Sequence, residues 1–191
     1  KVAWTNPTQE RVLVGWRVPS GTRNPRDAAL ALLLRGYLFS ESSPLVKDLV
    51  LDEQLCEEVG SDFDPRKDAA LFPVGARMKA GKSSDAVLQK IQAALDDVAK
   101  GNVDAARFDA VRSNYRYGVL MGLTSADSIA GTVAYESGPF SDPHAIDLVL
   151  TQVSNTKPAE LAQFVKDHFA ANQRAIADAG ALEQAVGHLV Q

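Results

Sequence analysis

The sequence predicts an α+β fold in which strands come first and helices follow. Two observations carry this prediction. Apolar residues alternate with a period of two in the first third of the chain, and they recur every three to four residues after Gly81. No shift in composition, low-complexity tract or fixed-period repeat divides the 191 residues. We therefore predict a single domain over residues 1–191.

The strands are predicted from alternation and from the turn residues that bound them. Arg11 to Val18 places valines and a tryptophan on one face, the pattern of a half-buried strand. Further strands are predicted around Leu55 to Phe63 and over Ala70 to Met78. Pro73 predicts an edge or a bulge in the latter, because proline cannot donate to a ladder. An alanine-rich stretch, Gln173 to Ala179, is a weaker candidate for a last strand.

Helices are predicted where the apolar spacing changes to three and four. A largely buried helix begins at Pro25, and a short one spans Pro44 to Leu51. After Gly81, five helices follow in succession, the first of them capped by Ser83 or Ser84. Their apolar stripes contain, in order, Val87, Leu88, Ile91, Leu95 and Val98; Phe108, Val111, Tyr115 and Val119; Ile129 and Val133; Ile146, Val149 and Leu150; and Leu161, Phe164, Val165 and Phe169.

Charge and composition disfavour several classes of partner. The formal net charge is -4, so no basic footprint for nucleic acid or an anionic membrane is predicted. No uncharged apolar run approaches the roughly 20 residues that span a bilayer, and we expect a soluble chain. Cys56 is the single cysteine, so the redox compartment stays undecided between cytoplasm and bacterial periplasm. The chain begins at Lys1 without a targeting pattern, which fits a processed protein or a domain of a longer one.

No catalytic residue and no metal ligand is predicted. A zinc hydrolase needs two histidines on one helix face and a carboxylate, yet His144, His168 and His188 are far apart in sequence. His144 with Asp147 fits a solvated helix surface better than a metal site. No Gly-x-Ser-x-Gly string marks a nucleophile.

Three further constellations favour structural roles. The Gly81-Lys82-Ser83 string lacks the upstream glycine of a phosphate-binding loop, because Gly75 lies one residue too far. Cys56 lies among apolar residues, which predicts a buried small hydrophobe. Glu57 and Glu58 are adjacent in a strand and are expected on opposite faces.

Several strings, taken in order, carry a resemblance to a known family. They are VLVGWRVP, SSPLVKDLVLDEQL, SADSIAGTVAYES and TKPAELAQFVKDHF. Together they resemble the second, non-zinc αβ domain of a half-molecule in the insulinase (pitrilysin-type) zinc metallopeptidases. The resemblance covers about residues 11–172. It implies a two-layer domain in which a mixed β-sheet is covered by helices on one face.

The resemblance also implies how such a domain works. Family members pair homologous domains into halves that enclose an unfolded peptide, with zinc bound by His-x-x-Glu-His in another domain. A domain of the opposite half supplies an arginine and, seven residues later, a tyrosine to the scissile peptide. Aligned on Glu53, Gln54 and Leu55, those positions are Val50 and Glu57 in this chain. Neither side chain can replace the missing donors.

We therefore predict a non-catalytic domain that packs beside a zinc-bearing homologous domain and forms part of a peptide-enclosing chamber. No cofactor is expected in this chain, zinc is expected in the partner domain, and neither nucleic acid nor membrane is an expected partner. The alternative is an assembly or scaffold subunit of the same fold without protease activity. An independent enzyme whose site leaves no local motif is a third hypothesis.

Overall fold

A computed structural model describes residues 9–19, 21 and 24–179 of the chain. It confirms the α+β class, with strands and helices segregated into two layers. The elements are β1 (Arg11–Val18), α1 (Pro25–Phe39), α2 (Pro44–Lys47), β2 (Cys56–Gly60), β3 (Ala70–Met78), α3 (Ser84–Ala99), α4 (Ala105–Gly122), α5 (Ala126–Phe140), α6 (Ala145–Asn155), α7 (Pro158–His168) and β4 (Arg174–Ala179).

The described strands form one sheet in the order β2-β3-β1-β4. Every described pairing is antiparallel, so the mixed sheet that the resemblance implied is wrong for this part of the chain. Only residues 61–69 join β2 to β3, and a parallel crossover needs about a dozen residues or more. The register is set by Val14, which lies opposite Val74 of β3 and Ile176 of β4.

The predicted strands agree with the structure at β1, β3 and, within one residue, at β4. The predicted second strand was too long, because β2 ends at Gly60 rather than Phe63. β3 is an internal strand, so the expectation of an edge at Pro73 is wrong for the strand as a whole. Pro73 nevertheless lies at a local edge. β2 ends opposite Gly75, so the part of β3 that contains Pro73 has no neighbour on that side among the described strands.

One face of the sheet lies against helices α1, α3 and α7. The predicted stripe of α3 is buried at each of its five positions, and Ser83 caps this helix by accepting a hydrogen bond from the Asp85 amide at 3.2 Å. An aromatic cluster fills the space beneath the sheet. Its ring centroids lie 5.1 to 5.4 Å apart in the pairs Trp16–Phe169, Phe63–Phe72 and Phe72–Phe169.

The short helix predicted over Pro44 to Leu51 is two elements. The α-helix α2 ends at Lys47, and a π-helical turn spans Asp48–Asp52. Helix propensities do not distinguish an α-helix from a π-helical turn, because the two differ only in which carbonyl accepts the hydrogen bond of each amide. Within the described residues, no helix has the length and apolar character needed to cross a bilayer.

Candidate functional site

The segment 42–59, which carries the positions aligned with the family's peptide contacts, is fixed at its start by Ser43. The Ser43 side chain is fully buried. Its Oγ donates to the Leu38 carbonyl at 2.6 Å and accepts from the Val46 amide at 3.0 Å. One hydroxyl therefore joins the end of α1 to the start of α2.

Val50 lies in the π-helical turn and packs, half-buried, against the core. A lysine of α3 holds this turn in place: Lys90 Nζ lies 2.7 Å from Asp48 Oδ2 and 2.7 Å from Glu53 Oε1. The hydrogen bonds to Asp48 and Glu53 raise the pKa of Lys90. The Val50 side chain offers no hydrogen-bond donor.

The chain then reverses into β2 through Gln54, which adopts a left-handed conformation with φ of 51°. The Leu55 amide donates to the Leu49 carbonyl at 2.9 Å. Cys56 follows and is fully buried. Burial raises the pKa of its thiol to about 11. The burial of Cys56 agrees with the predicted small buried hydrophobe at this position.

Glu57 and Glu58 both contact Arg77, contrary to the expectation that they lie on opposite faces. Arg77 Nε lies 3.0 Å from Glu57 Oε2, and Arg77 Nη2 lies 3.3 Å from Glu58 Oε2. The cause is an irregularity in β2, where the register shifts between Cys56 and Glu58. A bulge inserts an extra residue and breaks the period of two. Glu57 also accepts a hydrogen bond from Gln9.

The two histidines that the structure describes, His144 and His168, belong to no metal-ligating cluster. His144 lies immediately before α6, and Asp147 lies in the first turn of that helix. His168 ends α7 with its ring centroid 5.0 Å from that of Phe164. His188 lies outside the described residues. In the part of the chain that the structure describes, no three metal-ligating side chains are close enough to hold an ion.

The sheet face turned away from the helices, here called the open face, is apolar. Leu13 is 44% exposed and Leu71 is 49% exposed. Leu71 lies over Gly15, where an added Cβ would come within 2.5 Å of the leucine side chain. The register places Gly75 between Gly60 and Leu13 in one row across the sheet.

A groove of about 540 Å³ runs over this row of small residues. Arg11, Glu58, Asp62 and Asp178 line it together with the small and apolar side chains. The open face therefore combines an apolar floor with charged groups, which is the usual composition of a surface that a partner covers.

Sequence reasoning missed the open face and the role of Arg77. The signal was present in β1 and β3: the central positions of the open face hold Leu13, Gly15, Leu71, Pro73 and Gly75, with Arg11, Arg17 and Arg77 only toward the strand ends. A strand that is apolar on both faces indicates a sheet covered on both sides.

With this geometry established, comparisons with known proteins are informative. A family model described as the peptidase M16 inactive domain matches residues 2–115. Among curated proteins, none matches the sequence significantly.

Solved structures share the fold at low identity. A protease from Helicobacter pylori is 22% identical with a TM-score of 0.80 and 89% of this chain covered. The inactive peptidase domain of a Bordetella parapertussis protein is 17% identical, with a TM-score of 0.72 and 92% covered. A chain of complex III2 from Candida albicans is 10% identical, with a TM-score of 0.73 and 95% covered. This chain spans 41% of the first, 96% of the second and 45% of the third.

Proposed function

The chain belongs to the peptidase M16 inactive domain family, as the order of its sequence motifs predicted, and we propose from this membership that it pairs with a zinc-bearing homologous domain. In this proposal, residues 1–191 form one non-catalytic domain. It packs through the open face of its sheet against the zinc-bearing domain and completes a chamber around an unfolded peptide. Zinc and the hydrolytic residues belong to the partner.

The open face is the observation that carries this proposal. Two-layer domains bury the apolar face of their sheet, and here the second face is also apolar at Leu13 and Leu71. Glycines at positions 60 and 75 let a partner approach the backbone closely. The Helicobacter pylori chain is more than twice as long as the part matched here, which leaves room for a second domain of similar size.

The side chains of the segment 42–59 favour a non-catalytic role for this domain. Val50 cannot donate to a peptide carbonyl, and Glu57 is ion-paired with Arg77. A carboxylate at that place would repel a developing oxyanion. These two positions therefore remain, in the proposal, degenerate versions of the family's peptide contacts.

A scaffold subunit without protease activity is the second candidate. The match to a chain of complex III2 favours it at the level of fold. The two candidates differ in the partner, because only the peptidase-domain hypothesis requires a homologous domain that carries His-x-x-Glu-His. The sequence of that partner decides between them.

The experiment mixes this chain with the zinc-bearing M16 domain encoded in the same genome and measures association by sedimentation velocity. We expect a one-to-one complex. Leu13→Arg should weaken it by about 10-fold or more, as loss of a buried interface side chain does. Leu51→Arg is the matched control, since Leu51 is 63% exposed and lies in the π-helical turn rather than on the open face. An equal effect of both substitutions, or no complex, would contradict the proposal.

A further inference from the structure

A second cavity lies on the helical layer, between α4, α5 and α6. Its volume is about 190 Å³, below the range of about 300–1,000 Å³ typical of pockets for drug-sized ligands. The space therefore suits one long side chain rather than a whole small molecule. Its walls are formed by Tyr115, Gly118, Val119, Gly122, Thr132, Glu136, Ile146, Val149 and Leu150.

Glu136 is the single charged residue in this lining. It is half-buried, and no described residue forms a hydrogen bond or an ion pair with its carboxylate. Burial, followed by the nearby charge of Asp64, raises its pKa. A half-buried carboxylate among aliphatic side chains is costly unless a cation or a donor compensates it.

The neighbouring polar groups do not provide that compensation. Asp64 accepts a hydrogen bond from the Tyr135 hydroxyl. Arg35 lines the adjoining part of the same groove, but its Nη1 donates to the Phe63 carbonyl at 2.8 Å. Tyr115 lines both parts, and burial raises the pKa of its phenol. A tyrosine ring and a carboxylate thus meet in a pocket that is otherwise apolar except for Thr132, whose hydroxyl donates to the Ser128 carbonyl.

The stretch from Tyr117 to Tyr135, which forms much of two of the pocket's three helices, is apolar and almost uncharged. Between Tyr117 and Tyr135, Asp127 is the one charged residue. Exposed fractions reach 69% at Tyr117 and 72% at Met121. An added Cβ at Gly118 or Gly122 would meet no atom within 4 Å. Such a surface accepts apolar residues on either side of a side chain that enters the pocket.

We propose that this pocket binds the side chain of an arginine or lysine in an unfolded peptide, flanked by apolar residues. The aliphatic stem lies against Val119 and Leu150, and the charged end reaches Glu136. The ring of Tyr115 adds an attraction to the cation. The inference rests on the proposed function, since it takes the ligand to be the unfolded peptide. Because the pocket lies on the helical layer, it is a subsite outside the interface that the open face forms.

The test measures binding of two fluorescent peptides to the chain by anisotropy. One is acetyl-Leu-Leu-Arg-Leu-Leu-amide, and its twin carries citrulline, which has the same shape without the charge. We expect the arginine peptide to bind about 10-fold more tightly, the effect of one charge-assisted hydrogen bond. Glu136→Gln should abolish this preference, whereas Asp127→Asn on the same helix should keep it.

Further arms make the result specific to the pocket. Gly118→Leu fills the cavity and should abolish binding of both peptides; the position has open space beside it, so folding is preserved. Acidification should remove the arginine preference as Glu136 is protonated, at a pH above the usual range for glutamate. Equal affinity for both peptides in the unmodified chain would overturn the proposal.

Three outcomes distinguish failure of this inference from failure of the proposed function. If the zinc-bearing domain associates but neither peptide binds, the pocket is no peptide subsite and only the inference fails. If Glu136→Gln weakens association with that domain while peptides do not bind, the pocket holds a side chain of the partner, which also overturns the inference. Peptide binding without domain association would instead contradict the proposed function alone.

Discussion

Helices α1 and α5 have the same length, 15 residues, yet they differ sharply in burial. Ten residues of α1 are buried, whereas Phe140 is the one buried residue of α5. Both helices are rich in alanine and apolar side chains. The contrast shows that α1 completes the core of this chain, while the apolar residues of α5 face a space that the described residues do not fill.

Polar contacts show the same contrast. Arg26 near the start of α1 donates to the carbonyls of Gln152 and Asn155, at 2.8 and 3.0 Å, and pairs with Glu160 at 2.6 Å. α1 is thereby joined to α6 and α7. The long-range side-chain hydrogen bond of α5 is the one from Tyr135 to Asp64. α1 is fixed by several neighbours and α5 by few, which leaves the surface of α5 available for the peptide proposed above.

The largest expected effect is a difference in the free energy of unfolding between two leucine-to-alanine substitutions. Leu33 in α1 is fully buried, and Leu120 in α4 is 54% exposed. We expect Leu33→Ala to lower the free energy of unfolding by about 2–5 kcal/mol. Leu120→Ala should change it by no more than about 0.5 kcal/mol. Urea unfolding of both variants measures the difference, and similar losses would show that α4 is packed as tightly as α1.

A smaller effect concerns the pH dependence of stability, where two glutamates have opposite signs. The hydrogen bonds from Arg26 lower the pKa of Glu160, so its contribution is present above the ordinary glutamate pKa and is lost as pH falls. Burial raises the pKa of Glu136, so stability is lost as pH rises through that raised value.

Urea unfolding between pH 3 and pH 8 tests these signs. Glu160→Gln should be less stable than the unmodified chain at neutral pH and equal to it in acid. Glu136→Gln should be equal in acid and more stable at neutral pH. Both effects are small, because Glu160 is 40% exposed and Glu136 is only half-buried. The same sign for both variants would break the comparison between the packed and the open helical regions.

Periodicity predicted the elements that a single buried face defines. β1 and α3 agree with the prediction because their apolar residues repeat at two and at three to four positions. It failed where the backbone leaves that period. The bulge in β2 turns Glu57 and Glu58 toward one arginine, and the turn over Asp48–Asp52 winds with π-helical hydrogen bonds. Neither feature has a composition that distinguishes it in advance.

For the candidate site, sequence reasoning identified positions but not the contacts that their side chains make. Val50 and Glu57 were identified from the resemblance, but the partner of Glu57, Arg77, lies 20 residues further on and comes close through strand pairing. The pocket at Glu136 depends on three helices whose packing angles no local pattern encodes. Long-range juxtapositions of this kind need the fold, even where each helix is recognisable.

Peptide cleavage tests the central claim most directly. A fluorogenic unstructured peptide is incubated with this chain, with the zinc-bearing M16 domain, and with their mixture, and bound zinc is measured in each. We expect cleavage in the mixture well above either part, with zinc in the partner alone. The Val50→Arg, Glu57→Tyr double variant should remain inactive by itself, because the metal and its base are elsewhere. Cleavage by the unmodified chain alone, or one equivalent of zinc bound to it, would contradict the account.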